Sequence, residues 1–289
     1  MSRALWVLLS VPLWLPAQLH VAEQWRVKAP VEELNAADGE DFAPVWDAQR
    51  GLLYFSSTRN GGRSQLYQSR WESGRWSAPE PVRGLEYAGH RSYACPAPDG
   101  WLYFCQYFPG KRHASMGIAR VRWHGSAWGA PERVEIEGLP GEAFVGHPSI
   151  APDGKSMVFA SDCPGGKGGL DLWICAWDSA AARWVLERNL WELNSEGNEI
   201  TPFLAAADTL YFASDGHGGR GGYELFVSIR CEGRWSEPEP LQWLNTEADE
   251  SDFAPLPFEG KALFVRRSNG RLKLYEAYRS AEDASREAR

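Results

Sequence analysis

Trp235-Ser236-Glu237-Pro238-Glu239-Pro240-Leu241-Gln242-Trp243-Leu244-Asn245 aligns, residue for residue, with Trp25-Arg26-Val27-Lys28-Ala29-Pro30-Val31-Glu32-Glu33-Leu34-Asn35. The same cassette also starts at Trp76, Trp128 and Trp184, so the intervals are 51, 52, 56 and 51 residues. A second landmark, a proline ahead of a short apolar strand, recurs at Pro44, Pro96, Pro148, Pro202 and Pro255. A period near fifty marks a radial or solenoidal repeat. The chain opens with the element that closes each unit and ends without one. That permutation predicts a ring sealed by its own N-terminal strand. An open solenoid of five units gives no reason to start in mid-unit.

Between the landmarks each unit reads as three short strands. A segment around the proline comes first, such as Asp41-Phe42-Ala43-Pro44 or Ile200-Thr201-Pro202-Phe203. Turns such as Pro98-Asp99-Gly100 and Pro152-Asp153-Gly154 follow, where glycine accepts the positive φ of a tight hairpin. Then come Leu52-Leu53-Tyr54-Phe55, Trp101-Leu102-Tyr103-Phe104, Ser156-Met157-Val158-Phe159, Leu210-Tyr211-Phe212 and Ala262-Leu263-Phe264. Such aromatic and β-branched runs favour strands and are too short for stable helices. Glycine-rich loops lead to a third strand, Gln65-Leu66-Tyr67 in the first unit and Glu224-Leu225-Phe226-Val227 in the fourth. The prolines of the Trp cassette suit an outer edge strand, where a missing N–H costs least. The expected fold is all-β: a five-bladed β-propeller of four-stranded antiparallel blades, closed by Trp25 to Asn35.

Composition narrows the function classes. Of 289 residues, 44% are apolar and 24% charged, which is ordinary for a globular protein. The net charge of −8, with no Lys/Arg run, disfavours nucleic acid as a partner. Arg3 followed by an apolar stretch over residues 4–15 reads as a signal peptide, with cleavage after Ala17 or Ala22. The domain reading is therefore a signal peptide over 1–22, a propeller over 23–279 and a charged tail over 280–289. A periplasmic or secreted monomer with no membrane span in the mature chain is expected. The cysteines, Cys95, Cys105, Cys163, Cys175 and Cys231, are odd in number and lack zinc spacing.

The stretch Leu210-Tyr211-Phe212-Ala213-Ser214-Asp215-Gly216-His217-Gly218-Gly219-Arg220-Gly221-Gly222-Tyr223-Glu224-Leu225-Phe226, with Gly233-Arg234-Trp235 and Leu244-Asn245-Thr246 after it, resembles the WD-repeat-like propellers of bacterial envelopes. That family includes TolB-type propellers and the repeats found beside OmpA-like domains. The resemblance covers nearly all of residues 25–279. Residues 106–116 depart from it by lacking the Gly-Gly loop. It implies a binding or scaffolding role without catalysis.

Propeller geometry places the fourth-to-first strand connections and the second-to-third strand loops on one face. The acids there include Asp41, Glu142, Glu199, Asp215, Glu250 and Asp252, with His217 among them. Such a mouth favours cations or a basic protein or peptide segment. Asp41, Glu199 and Asp252 each stand three residues before a landmark proline. Clustered, they would suit Ca²⁺ or the paired carboxylates of a five-bladed glycoside hydrolase. The competing reading is that each caps its own blade by accepting backbone N–H bonds. No GxSxG and no Ser-His-Asp grouping occurs, so the leading expectation is a non-catalytic exported propeller that needs no cofactor.

Overall fold

The computed structural model describes residues 25–108, 115–140, 143–258 and 260–279, all strand, turn or irregular backbone without a helix. The expected signal peptide, the charged tail and Glu142 lie outside these residues. Five antiparallel sheets form the blades of a propeller. Their innermost strands are Asp41–Asp47, Arg91–Pro96, Val145–Ile150, Glu199–Ala206 and Glu250–Pro255. In blade five the outermost strand is Trp25–Pro30, which pairs antiparallel with Arg271–Arg279, Trp25 opposite Arg279 and Pro30 opposite Tyr275. The N-terminal strand thus closes the ring.

Five buried apolar clusters occupy the five contacts between neighbouring blades. Trp25 sits among Tyr211, Leu225, Phe253 and Phe264, between blades four and five. Trp76 joins Phe55, Tyr67, Leu263 and Val265 between blades five and one. Trp184 and Trp235 occupy the equivalent positions between blades two and three and blades three and four. Each cassette tryptophan therefore packs its own blade onto the preceding one. Trp128 is the exception: it is only partly buried, against the cluster between blades one and two, and bridges Trp123.

The cassette's last residue has a defined task. Asn194 donates its Nδ2 to Leu172 O at 3.0 Å and accepts the Leu172 N–H at 2.8 Å. Asn245 does the same to Leu225, and Asn35 to Leu274. A side-chain amide thus imitates one residue of a fourth strand, one position beyond the last residue the cassette pairs. Most cassettes form broken edges such as Arg75–Trp76 and Glu80–Pro81, while Trp25–Pro30 and Arg183–Asn189 run continuously. The third cassette departs further, since its Ile136–Glu137 pairs in parallel with Arg183–Asn189 of the next blade.

Each innermost strand carries a bulge at the same place, and Glu199–Ala206 has a second shift between Leu204 and Ala206. The shared register shifts fall between Phe42 and Val45, Ser92 and Cys95, Gly146 and Ser149, Ile200 and Phe203, and Ser251 and Ala254. At each bulge one non-glycine residue is left-handed: Ala43 (φ 52°), Tyr93 (56°), His147 (53°), Thr201 (49°) and Asp252 (55°). Such backbone costs about 1 kcal/mol or more per residue. Hydrogen bonds to the preceding blade offset it. Tyr93 N donates to Ser56 Oγ, His147 N to Cys105 Sγ, Thr201 N to His147 Nδ1 and Asp252 N to Thr201 Oγ1.

The bulges correct one sequence expectation. Pro44, Pro148 and Pro202 follow the left-handed residue directly, whereas Pro96 and Pro255 come three positions after it. The proline landmark therefore marks two structural positions. Register places Glu250, opposite Arg266, where Asp41 and Glu199 stand opposite Ser57 and Ser214. Asp252 belongs instead with Ala43, Tyr93, His147 and Thr201.

Candidate functional site: loop face and central channel

The acids at the entry of the innermost strands each serve their own blade. Asp41 is fully buried; its Oδ2 accepts the Ala36 N–H at 2.7 Å, and its Oδ1 pairs with Arg59 Nη2 at 2.6 Å. Glu199, also fully buried, accepts Ser195 N and the hydroxyls of Ser195 and Ser214. Glu250 accepts Thr246 N and Oγ1 and pairs with Arg266 Nε at 2.7 Å. Burial still lifts the Glu250 carboxyl above the usual range. In all three blades a basic side chain ties the carboxylate to the cassette leucine. Arg59 donates to Leu34 O, Arg266 to Leu244 O, and His217 Nε2 lies 2.8 Å from Leu193 O and 3.9 Å from Glu199. Blade two reverses the charge: Arg91 takes the acid's place, donating to Leu85 O and Gln106 Oε1.

The glycine strings have a local cause. A Cβ on Gly168 would overlap Gly197 O, and one on Gly221 would overlap Ala248 O. The second-to-third strand loops therefore dock directly on the connections into the next blade. Asn198 accepts the Leu170 N–H at this contact, and Asp215, from blade four's own loop, holds Asn198 by accepting its N and Nδ2. Asp215 also accepts the Tyr223 phenol, whose pKa rises to about 12 through burial and the nearby charges of Asp215, Asp249 and Glu199. His217 thus stands in a structural turn, as a cap.

The structure does not bring Asp41, Glu199 and Asp252 into one group. Among the described residues no set of three or more His, Cys, Asp or Glu is placed to hold a metal ion. The five described cysteines are free thiols, and only Cys231 is exposed. Among the described residues no helix is long and apolar enough to cross a membrane.

The channel holds side chains that the sequence reading did not select. Four of the five left-handed positions around it are joined in a chain of contacts. Tyr93 lies over His147 with centroids 4.0 Å apart, His147 Nδ1 accepts Thr201 N, and Thr201 Oγ1 accepts Asp252 N. Burial lowers the His147 pKa to about 3, so its ring is neutral, and raises Asp252 to about 7. The five residues share no side-chain chemistry. The one sequence signal was the X-Pro pair in Ala43-Pro44, His147-Pro148 and Thr201-Pro202, obscured by the displaced prolines in blades two and five.

These features define a five-bladed propeller whose loop face is internally capped and whose channel is lined mainly by apolar groups. No known family model matches the chain, and no curated protein matches it. Solved structures share the fold. An α-L-arabinofuranosidase from Lactobacillus brevis is 10% identical, with 84% of this chain and 91% of that one covered at a TM-score of 0.54. A protein of unknown function from Dyadobacter fermentans is 12% identical over 90% and 82%, with a TM-score of 0.50. TolB from Acinetobacter baumannii is 16% identical at a TM-score of 0.46; 84% of this chain is covered, and the match spans 56% of TolB's length. At these identities the likeness shows the fold alone.

Proposed function

We propose that this chain is a non-catalytic, exported propeller that binds a basic segment of a protein partner on its acidic loop face. One observation carries the reading. The buried acids of that face are held by their own blades, while Asp38, Glu196 and Glu247 remain exposed around them. A face that is rigid beneath and negative above attracts cationic segments without supplying an acid–base pair. Glycoside hydrolysis needs two carboxyl groups across one scissile bond, about 5–9.5 Å apart. Asp41 and Glu199 instead turn their oxygens to Ala36 and Arg59, and to Ser195 and Ser214. Export, and with it a place in the cell envelope, rests on the apolar N-terminal stretch.

The test pairs two measurements on the mature chain. Crosslinking in envelope extracts should capture a defined partner, and the triple variant Asp38→Lys, Glu196→Lys, Glu247→Lys should lose it while melting like wild type. Capture that survives the charge reversal sinks the loop-face reading. Hydrolysis of any member of a glycan panel by wild type, abolished by Glu199→Gln, establishes the enzyme instead.

A further inference from the structure

The innermost strands enclose a cavity of about 360 Å³. Its lining begins at the left-handed ring and continues to the turns after the innermost strands, through residues 47–49, 96–98 and 150–152. None of Asp41, Glu199 or Glu250 lines it. The cavity therefore opens on the face opposite the acidic loops, and its occupant is independent of the partner proposed above. A volume of this size suits a small molecule.

The lining chemistry is selective. Trp46, Phe203, Phe253 and six prolines provide apolar and aromatic surface. Neither lysine nor arginine lines the cavity. Two carboxylates do, and they differ. Asp47 is already neutralised by Arg50 at 2.6 Å and caps its own turn through Gln49 N and Arg50 N. Asp252, 7% exposed, has only the Ser251 hydroxyl on its carboxylate; no basic group among the described residues lies within ion-pair distance of it. A buried anion without a counter-ion is costly, and a ligand that brings the missing charge recovers that cost. The Tyr93 ring, on the same ring of positions, adds a face suited to a cation. His147, neutral and accepting from Thr201, adds no competing charge.

We propose that this cavity is a binding site for a small organic cation, an ammonium group on an apolar or aromatic body, with Asp252 as its counter-ion and Tyr93 as an aromatic wall. An inorganic anion finds no cationic partner there. A bare metal ion finds too few oxygen ligands, since the carboxylate of Asp47 is engaged by Arg50.

The groups that face Asp252 fix the pH dependence. Thr201 and Ala43, from the neighbouring innermost strands, do not titrate. Tyr93 from blade two is pushed well above its ordinary value, with Asp252, Cys105, Glu40 and Tyr223 contributing after burial. Tyr223 and Cys105 are both held near 12, and His147 near 3. Between pH 6 and 8 Asp252 is therefore the ring position that changes charge, and a fixed cation should bind about tenfold more tightly at the upper end.

Isothermal titration of the mature chain with benzyltrimethylammonium, and in parallel with benzyl alcohol, tests the site. The cation should bind wild type with an affinity that rises about tenfold from pH 6 to pH 8, and Asp252→Asn should lose at least tenfold at pH 8. Benzyl alcohol should bind weakly and equally to both proteins. Asn matches Asp in shape and removes only the charge; the melting curve of Asp252→Asn, expected at or above that of wild type, confirms its fold. A second variant, Tyr93→Leu, should weaken the cation several-fold and leave benzyl alcohol unchanged. Equal cation affinity in wild type and Asp252→Asn, an affinity flat in pH, or benzyl alcohol bound as tightly as the cation each overturns the assignment.

Discussion

Trp25 meets Phe253 edge-on, with ring centroids 5.1 Å apart, so the first described strand is packed into the contact between blades four and five. The closing strand thus does more than complete a hydrogen-bond ladder. Its tryptophan is 1% exposed and fills one of the five cores. Trp25→Ala should cost about 3–5 kcal/mol, as truncation of a buried Trp does. Deletion of residues 23–36 should prevent cooperative unfolding of the ring altogether, because blade five loses its outer edge. Trp243→Ala, at an exposed cassette position where Arg26 lies over the ring at 4.5 Å, should cost about 1 kcal/mol or less. Urea titrations of the three proteins check this. A truncated chain that melts like wild type refutes closure.

The asparagine clamp yields a second prediction. Asn194→Ala leaves the Leu172 N–H unpaired inside a buried strand and its carbonyl with the Leu190 N–H alone, for a loss of about 1–3 kcal/mol. Asn245→Ala should behave alike at Leu225. The two sites lie in different blades, so the double variant should be nearly additive in chemical denaturation.

The ring and its closure were legible because the Trp cassette repeats at nearly constant spacing and each copy answers the same packing demand. The Asn ending each of three cassettes was visible as a letter, but its task was not, since nothing local says that a side chain replaces a strand. The site was harder to read. Asp41, Glu199 and Glu250 are equivalent only through the bulge, which a proline at two positions disguised, and Asp252 was grouped with the wrong partners. Tyr93, His147 and Thr201 escaped notice because a shared backbone conformation leaves no shared residue type. Repetition reports packing; the channel is where the blades differ.

The caps give a third prediction, one that separates structure from catalysis. Glu199→Gln turns an amide NH₂ toward donors that need an acceptor, whether Ser195 N or the two serine hydroxyls. A loss of about 1–3 kcal/mol should follow. Asp41→Asn leaves Arg59 without its anion beside Leu34 O, and the cost should be of similar size because Arg59 keeps some solvent contact. Thermal melts read both. Unchanged melting with an altered solution activity would reassign these acids from caps to catalytic groups.

The last prediction concerns pH, where the channel holds two groups with opposed gradients. Asp252 has a folded pKa of about 7 against an ordinary 3.8, so the native state keeps a proton that the unfolded state has released. Its contribution is fully present below about pH 4 and is lost as pH rises through 7. His147 has a folded value of about 3 against 6.5, so its contribution is present above 6.5 and lost as pH falls toward 3. Across pH 4 to 6.5 the two nearly cancel in the wild type. Asp252→Asn removes one limb: its stability gain over wild type should grow between pH 4 and 7, to at most on the order of 4 kcal/mol. His147→Gln removes the other, and its gain should grow as pH falls from 6.5. Chemical denaturation at half-unit pH steps checks both slopes, and parallel curves for wild type and Asp252→Asn would show that the Asp252 carboxyl titrates as if in water.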